Sequence, residues 1–101
     1  MKINVPEICG EDLISRDAGH KIRDIIVSHW DDEVIEVEFG GKAVGSVSFF
    51  DEAIGLLLKR EKKATEEVRR KLKFPDIKPE DRTLLNYVMS ARVQEKKNKQ
   101  E

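Results

Sequence analysis

The run Val34-Ile35-Glu36-Val37-Glu38-Phe39, stopped by Gly40-Gly41, constrains the fold more than any other stretch of the chain. It is rich in β-branched residues and bounded by turn formers, so it reads as a strand. Glu36 and Glu38 interrupt an otherwise continuous apolar run. A strand buried on both faces would not carry two glutamates on one side, so one sheet face is expected to be partly open.

Helical patterns flank this strand. Before it, Ala18, Ile22, Ile25, Ile26 and His29 form one stripe, with Ser15 as the expected N-cap and Asp17 in the first turn. Trp30-Asp31-Asp32 closes that helix. After the strand, Ser48 is the expected cap, with Asp51 completing a shortened capping box. Phe50, Ala53, Ile54, Leu57 and Leu58 form the second stripe. Ile3 and Val5 alternate as a first strand, placed at a sheet edge because Pro6 lacks a backbone donor. The segment from Ile8 to Asp12 reads as a turn. Leu72, Phe74 and Ile77 mark a last short strand. Pro79, followed by acids, opens a final helix striped by Leu84, Leu85, Val88 and Arg92. Strand and helix therefore alternate three times, which implies an α/β fold with helices packed on a largely parallel sheet of three to four strands.

The 101 residues suit one domain, expected over residues 1–93, with a charged, fraying tail over 94–101. Apolar and charged residues each make up 39% of the chain, so the charges must line solvated helix faces. A net charge of −1 gives no support to a global polyanion-binding role. Cys9 is the sole cysteine, which fits a reducing compartment. The N-terminal residues lack an apolar signal-peptide core, and a cytoplasmic location is expected.

Leu13-Ile14-Ser15-Arg16-Asp17-Ala18, the strand ending in Phe39, and Gly45-Ser46-Val47-Ser48-Phe49-Phe50-Asp51-Glu52 together resemble the STAS-like family of unknown function, relatives of anti-sigma-factor antagonists. The resemblance covers roughly residues 12–90. It implies a small STAS-like domain that docks on a protein partner, such as a kinase-type ATPase, and is not an enzyme. In the antagonists a serine at the start of the helix after the central strand is phosphorylated, which makes Ser48 and Ser46 the candidate phosphosites here. The Asp-Ser-Ser-Gly element typical of the antagonists is absent.

The remaining site candidates follow from position. Gly45, Val47, Phe49 and Glu52 are the expected partner contacts, with Phe49 off the main stripe and so either an apolar anchor for the partner or packed beneath the neighbouring helix. Ser15, Arg16 and Asp51 are the expected tie between the two helix starts, through an arginine–carboxylate pair that takes in Asp51 or Glu52. Asp51 and Glu52 are adjacent and do not face the same way, so no metal site and no cofactor are expected. Lys59 to Lys71 carries seven basic and three acidic residues. It reads as a solvated, salt-bridged helix face, with a nucleic-acid-associated role as the alternative.

Overall fold

The computed structural model describes residues 1–98. Its elements, in chain order, are β1 (Lys2–Asn4), α1 (Val5–Cys9), α2 (Arg16–Ser28), β2 (Ile35–Glu38), α3 (Val47–Phe50), a π-turn (Asp51–Gly55), α4 (Leu56–Lys59), α5 (Thr65–Lys71), β3 (Leu72–Lys73) and α6 (Pro79–Asn98). The three strands pair in parallel in the order β1-β2-β3. This is the expected small α/β STAS-like architecture.

The sheet has one dry and one wet face. Ile3 stands opposite Val37 and Ile35 opposite Leu72, and all four are buried. The alternate positions form a charged row in which Lys2 and Lys73 flank Glu36 on its two neighbouring strands. Lys2 Nζ lies 3.9 Å from Glu36 Oε2. Opposite charges across adjacent strands stabilise Glu36 on this solvated face, and Glu38 stands on the same face opposite Asn4.

Three local features differ from the sequence reading. The chain leaves β1 directly into α1, so Ile8 and Cys9 are helical rather than part of a turn. Asn4 caps this helix by accepting from the Glu7 N–H at 3.1 Å, and Pro6 sits in the first turn, where its missing N–H is no loss. His29 is the C-cap residue of α2 rather than a packed stripe position, and its side chain is 43% exposed. The final helix runs on past residue 93 to Asn98, while residues 99–101 of the expected tail lie outside the described part.

The helical stretch 47–59 is the structural centre. Phe49, Phe50, Ala53, Ile54, Leu56, Leu57 and Leu58 are all buried. Phe39, Phe49 and Phe50 pack edge to face, with centroids 5.6–6.4 Å apart, and Phe74 stacks on Phe39 at 6.4 Å. Such pairs contribute about 0.5–1.5 kcal/mol each beyond their buried area. Trp30 joins α2 to α5: its indole N–H donates to Glu67, and Lys63 and Lys71 lie over its ring at 5.0 and 5.6 Å. Among the described residues no helix is long and apolar enough to cross a membrane.

Two glycines set the helix spacing. A Cβ at Gly19 would stand 2.7 Å from the Phe49 carbonyl oxygen and 3.1 Å from the Ala53 backbone nitrogen. A Cβ at Gly55 would meet Asp51 Oδ1 and stand 2.8 Å from Val88 Cγ1. Gly19 thus lets α2 approach, and Gly55 lets α6 approach from another side. On an exposed helix face Gly→Ala stabilises by up to about 1 kcal/mol. Gly19→Ala is expected to reverse that sign and lower stability by about 1–3 kcal/mol, because backbone atoms must shift. Urea denaturation of the two proteins measures the difference, and an unchanged or higher midpoint for Gly19→Ala would refute the close-approach argument.

Candidate functional site

The starts of α2 and of the 47–59 helix meet at one end of the sheet, and their polar groups interlock. Ser15 caps α2 by accepting from the Ala18 N–H at 3.0 Å, and its hydroxyl donates to Asp12 at 2.5 Å. Ser46, not Ser48, caps α3. The Ser46 residue is extended, with φ −132° and ψ 113°, and its Oγ accepts from the Phe49 N–H at 3.1 Å. The same hydroxyl donates to the Ile14 carbonyl at 2.7 Å, which stitches the two helix starts together. The expected cap at Ser48 is therefore corrected: the helix has already begun at Val47, and Ser48 is exposed on its first turn. Asp51 belongs to no capping box. It lies in the π-turn, where its carboxylate meets two arginines.

The π-turn widens one helical turn at Asp51–Gly55, a feature that recurs at functional sites. Asp51 receives a bidentate bond from Arg92 of α6, at 2.8 Å from Nε and 2.6 Å from Nη2. Arg16 Nη1 lies 3.2 Å from Asp51 Oδ2 and 3.1 Å from Glu52 Oε2. Arg23, only 2% exposed, donates from Nη1 to the Glu52 carbonyl at 2.6 Å, and the same nitrogen lies 3.4 Å from Glu52 Oε1. Arg23 Nη2 lies 2.9 Å from His20 Nδ1, and Arg23 Nε stands 3.6 Å from Glu61 Oε2, beyond hydrogen-bond reach. Arg92 also donates to Glu95 at 2.8 Å, and Glu95 takes Lys59 at 3.0 Å.

Burial alone would push the Asp51 carboxyl up, but the bonds from Arg92 and Arg16 outweigh it and hold the group below its ordinary value of 3.8. The hydrogen bonds that Arg92 donates to Asp51 are the chief reason its guanidinium is shifted further up. Lys59 first, and then Arg92, pull Glu95 down.

The loop entering α3 is fixed from the far side of the chain. Asp76 accepts from the Phe39 and Gly41 N–H groups at 2.8 and 3.1 Å. These bonds outweigh the upward push of burial and hold its carboxyl low. Asp81, 1% exposed in the first turn of α6, accepts from Val44 at 2.7 Å and Gly45 at 2.8 Å.

The residues expected to meet a partner divide into two groups. Val47 is 41% exposed, and Gly45 is exposed with its N–H held by Asp81. Phe49 is 1% exposed, so it is corrected from partner anchor to core residue. The single-stripe argument failed because this helix is covered on more than one side. Glu52 is likewise corrected: its side chain is 14% exposed and its carboxylate is taken up by Arg16 and Arg23. Exposed apolar groups do gather here, however. Ile14 is 62% and Tyr87 63% exposed. Tyr87 and Val47 line a cleft of about 250 Å³ whose floor includes Asp51 and Arg92.

Sequence reasoning missed Arg23, Asp76 and Asp81, and placed Arg92 only as a stripe residue. Arg92 did carry a signal, since a guanidinium at a core-facing position needs a buried carboxylate. Within the Lys59–Lys71 segment, Lys59 pairs with Glu95, Lys63 and Lys71 lie on Trp30, and Lys71 donates to the Asp32 carbonyl at 2.8 Å. Among the described residues no group of three or more metal-ligating side chains comes together.

A family model described as a STAS-like domain of unknown function matches residues 18–82. No curated protein and no solved structure matches the chain.

The Asp51 shift makes stability depend on acid. The folded carboxyl titrates below its unfolded value, so its contribution is complete above about pH 4 and is lost as the pH falls further. Asp51→Asn is expected to cost about 1.5–3 kcal/mol at pH 7, the range for hydrogen bonds to charged groups. Thermal melts of both proteins from pH 7 to pH 2.5 test this. The melting points should converge in acid, and parallel curves would rule out the linkage.

Proposed function

The chain belongs to the STAS-like family of unknown function, and from that premise we propose that it is a non-enzymatic protein-binding module. Its contact face is the end of the domain where α2 and α3 begin. The observation that carries this reading is the clustering of Ile14, Val47 and Tyr87, three of the five large apolar side chains left exposed among the described residues, around these helix starts. Apolar groups held in water on a rigid base are what a partner buries. The polar groups beneath them support binding over catalysis. Asp51 and Glu52 are bonded to arginines, which leaves neither as a free acid or base.

Ser48 supplies the control point of this reading. It is exposed on the first turn beside Val47, whereas the Ser46 hydroxyl is engaged at both ends as cap and stitch. A phosphate on Ser48 would place about −1.5 to −2 charges on the contact face. The nearby acids oppose it less than their sequence positions imply, because Arg16, Arg23 and Arg92 offset them. The partner is a protein of the kinase-type ATPase class that STAS antagonists engage, and the setting is cytoplasmic.

Quantitative pull-downs from the native host, with Val47→Asp and Ser48→Glu beside the wild type, provide the test. Both substitutions are on exposed sites and should change folding stability by no more than about 0.5 kcal/mol. Each is expected to weaken capture of the same partner at least about tenfold, equal to roughly 1.4 kcal/mol. Equal capture by all three proteins would overturn the contact face. Phosphopeptide mapping that places phosphate only on serines other than Ser48 would overturn the switch.

A further inference from the structure

A second cleft lies on another face of α6. Helical side chains step by about 100° per residue, so Arg82, Leu85, Asn86 and Met89 share a side turned away from Tyr87, Ala91 and Glu95. The cleft runs between α5, β3 and α6 and encloses about 450 Å³, within the range of about 300–1,000 Å³ typical of small-molecule sites. Its floor is apolar: Val68, Leu72, Leu85 and Met89 line it, together with half-buried Phe74.

The rim is of one sign. Arg69, Lys73 and Arg82 line the cleft, and no carboxylate does among the described residues. All three are exposed, and among the described residues no ion pair joins any of them to an acid. Arg60 and Arg70 likewise make no ion pair among the described residues, whereas Arg16, Arg23 and Arg92 face carboxylates; what sets Arg69, Lys73 and Arg82 apart is that they share one cleft. Glu36, the register partner of Lys73 on β2, does not line the cleft, so the three cations meet no carboxylate within it, and guanidiniums hold carboxylates or phosphates in bidentate fashion.

We infer that the cleft between α5, β3 and α6 binds a small anionic amphiphile, an oxyanion head held by Arg69, Lys73 and Arg82 with its apolar body on the Val68–Leu72–Leu85–Met89 floor. A strand-adding peptide fits less well, since β3 offers only two paired residues along that wall. The site is independent of the proposed partner face.

Decanoate is the probe, titrated into the ¹⁵N-labelled full chain and followed by amide chemical shifts. The expected result is saturable shifts confined to Ile54 and to residues 68–74 and 82–89, which line or border the cleft, with affinity falling about tenfold or more for 1-decanol, which has the same chain without the charge. The Arg69→Gln, Arg82→Gln double variant changes exposed side chains only and should weaken decanoate to a similar degree. Shifts that map elsewhere, equal binding of decanol, or an unaffected double variant would each overturn the proposal. So would a hexaglutamate peptide shifting the same amides as strongly, which would show a response to charge alone. Phosphatidylglycerol vesicles separate the sources of the head group: sedimentation of the protein with vesicles, with no response to monomeric decanoate, would assign the cations to a lipid surface and overturn the cleft.

Discussion

Desolvation of Asp51 and Glu52 is the constraint around which the rest of the molecule is arranged. The helix that carries them is pressed by α2 on one side and α6 on another, so the two carboxylates have little access to water. An ion buried without partners costs several kcal/mol. Adjacent residues on a helix point about 100° apart, so the two carboxylates draw on partners from two different helices. Asp51 turns to Arg92 on α6, Glu52 to Arg23 on α2, and Arg16 reaches both. Gly19 and Gly55 belong to the same arrangement, because each removes a Cβ at the level where an acid must meet its arginine across closely packed backbones.

Those parts of the fold that depend on short-range periodicity were legible in the sequence. Strand β2, the α2 stripe with its Ser15 cap, the Pro79 helix start and the parallel topology all follow from spacing and local chemistry. Even the open sheet face was readable, from Glu36 and Glu38. The failures at the helix starts share one cause, which is that they depend on what lies across the fold. Ser46 and Ser48 are equally good caps in isolation, and the bond from Ser46 to the Ile14 carbonyl is an additional contact that only Ser46 makes. Phe49 lies off the stripe of a helix assumed to bury one face, whereas this helix buries several. The widened π-turn has no local signature in Asp51–Gly55. Its partners Arg23 and Arg92 are 29 and 41 residues from the groups they bind. The short helix α1 was announced by Asn4-Val5-Pro6-Glu7, a cap and proline pattern outweighed by the alternation of Ile3 and Val5.

The same economy of charge separates the two surfaces of the domain. Around the helix starts, the acids are taken up by arginines, and Ile14 and Val47 are offered outward beside Ser48. Across α6, apolar groups form the floor of a cleft whose rim carries three cations and, among the described residues, no carboxylate. Between them, the loop into α3 is anchored by Asp76 on the connection that follows β3 and by Asp81 in the first turn of α6, so the contact face is set by residues distant in sequence.

The placement of Arg92 also has a consequence for synthesis. A chain leaving the ribosome N-terminus first presents α2, β2 and the Asp51–Glu52 pair well before α6 emerges. In that interval Glu52 already has Arg16 and Arg23, while the bidentate grip on Asp51 is still missing. The last helix to appear therefore acts as the latch. A nascent chain halted before residue 92 holds a half-neutralised core, which quality-control proteases and chaperones would meet as an open, recognisable intermediate.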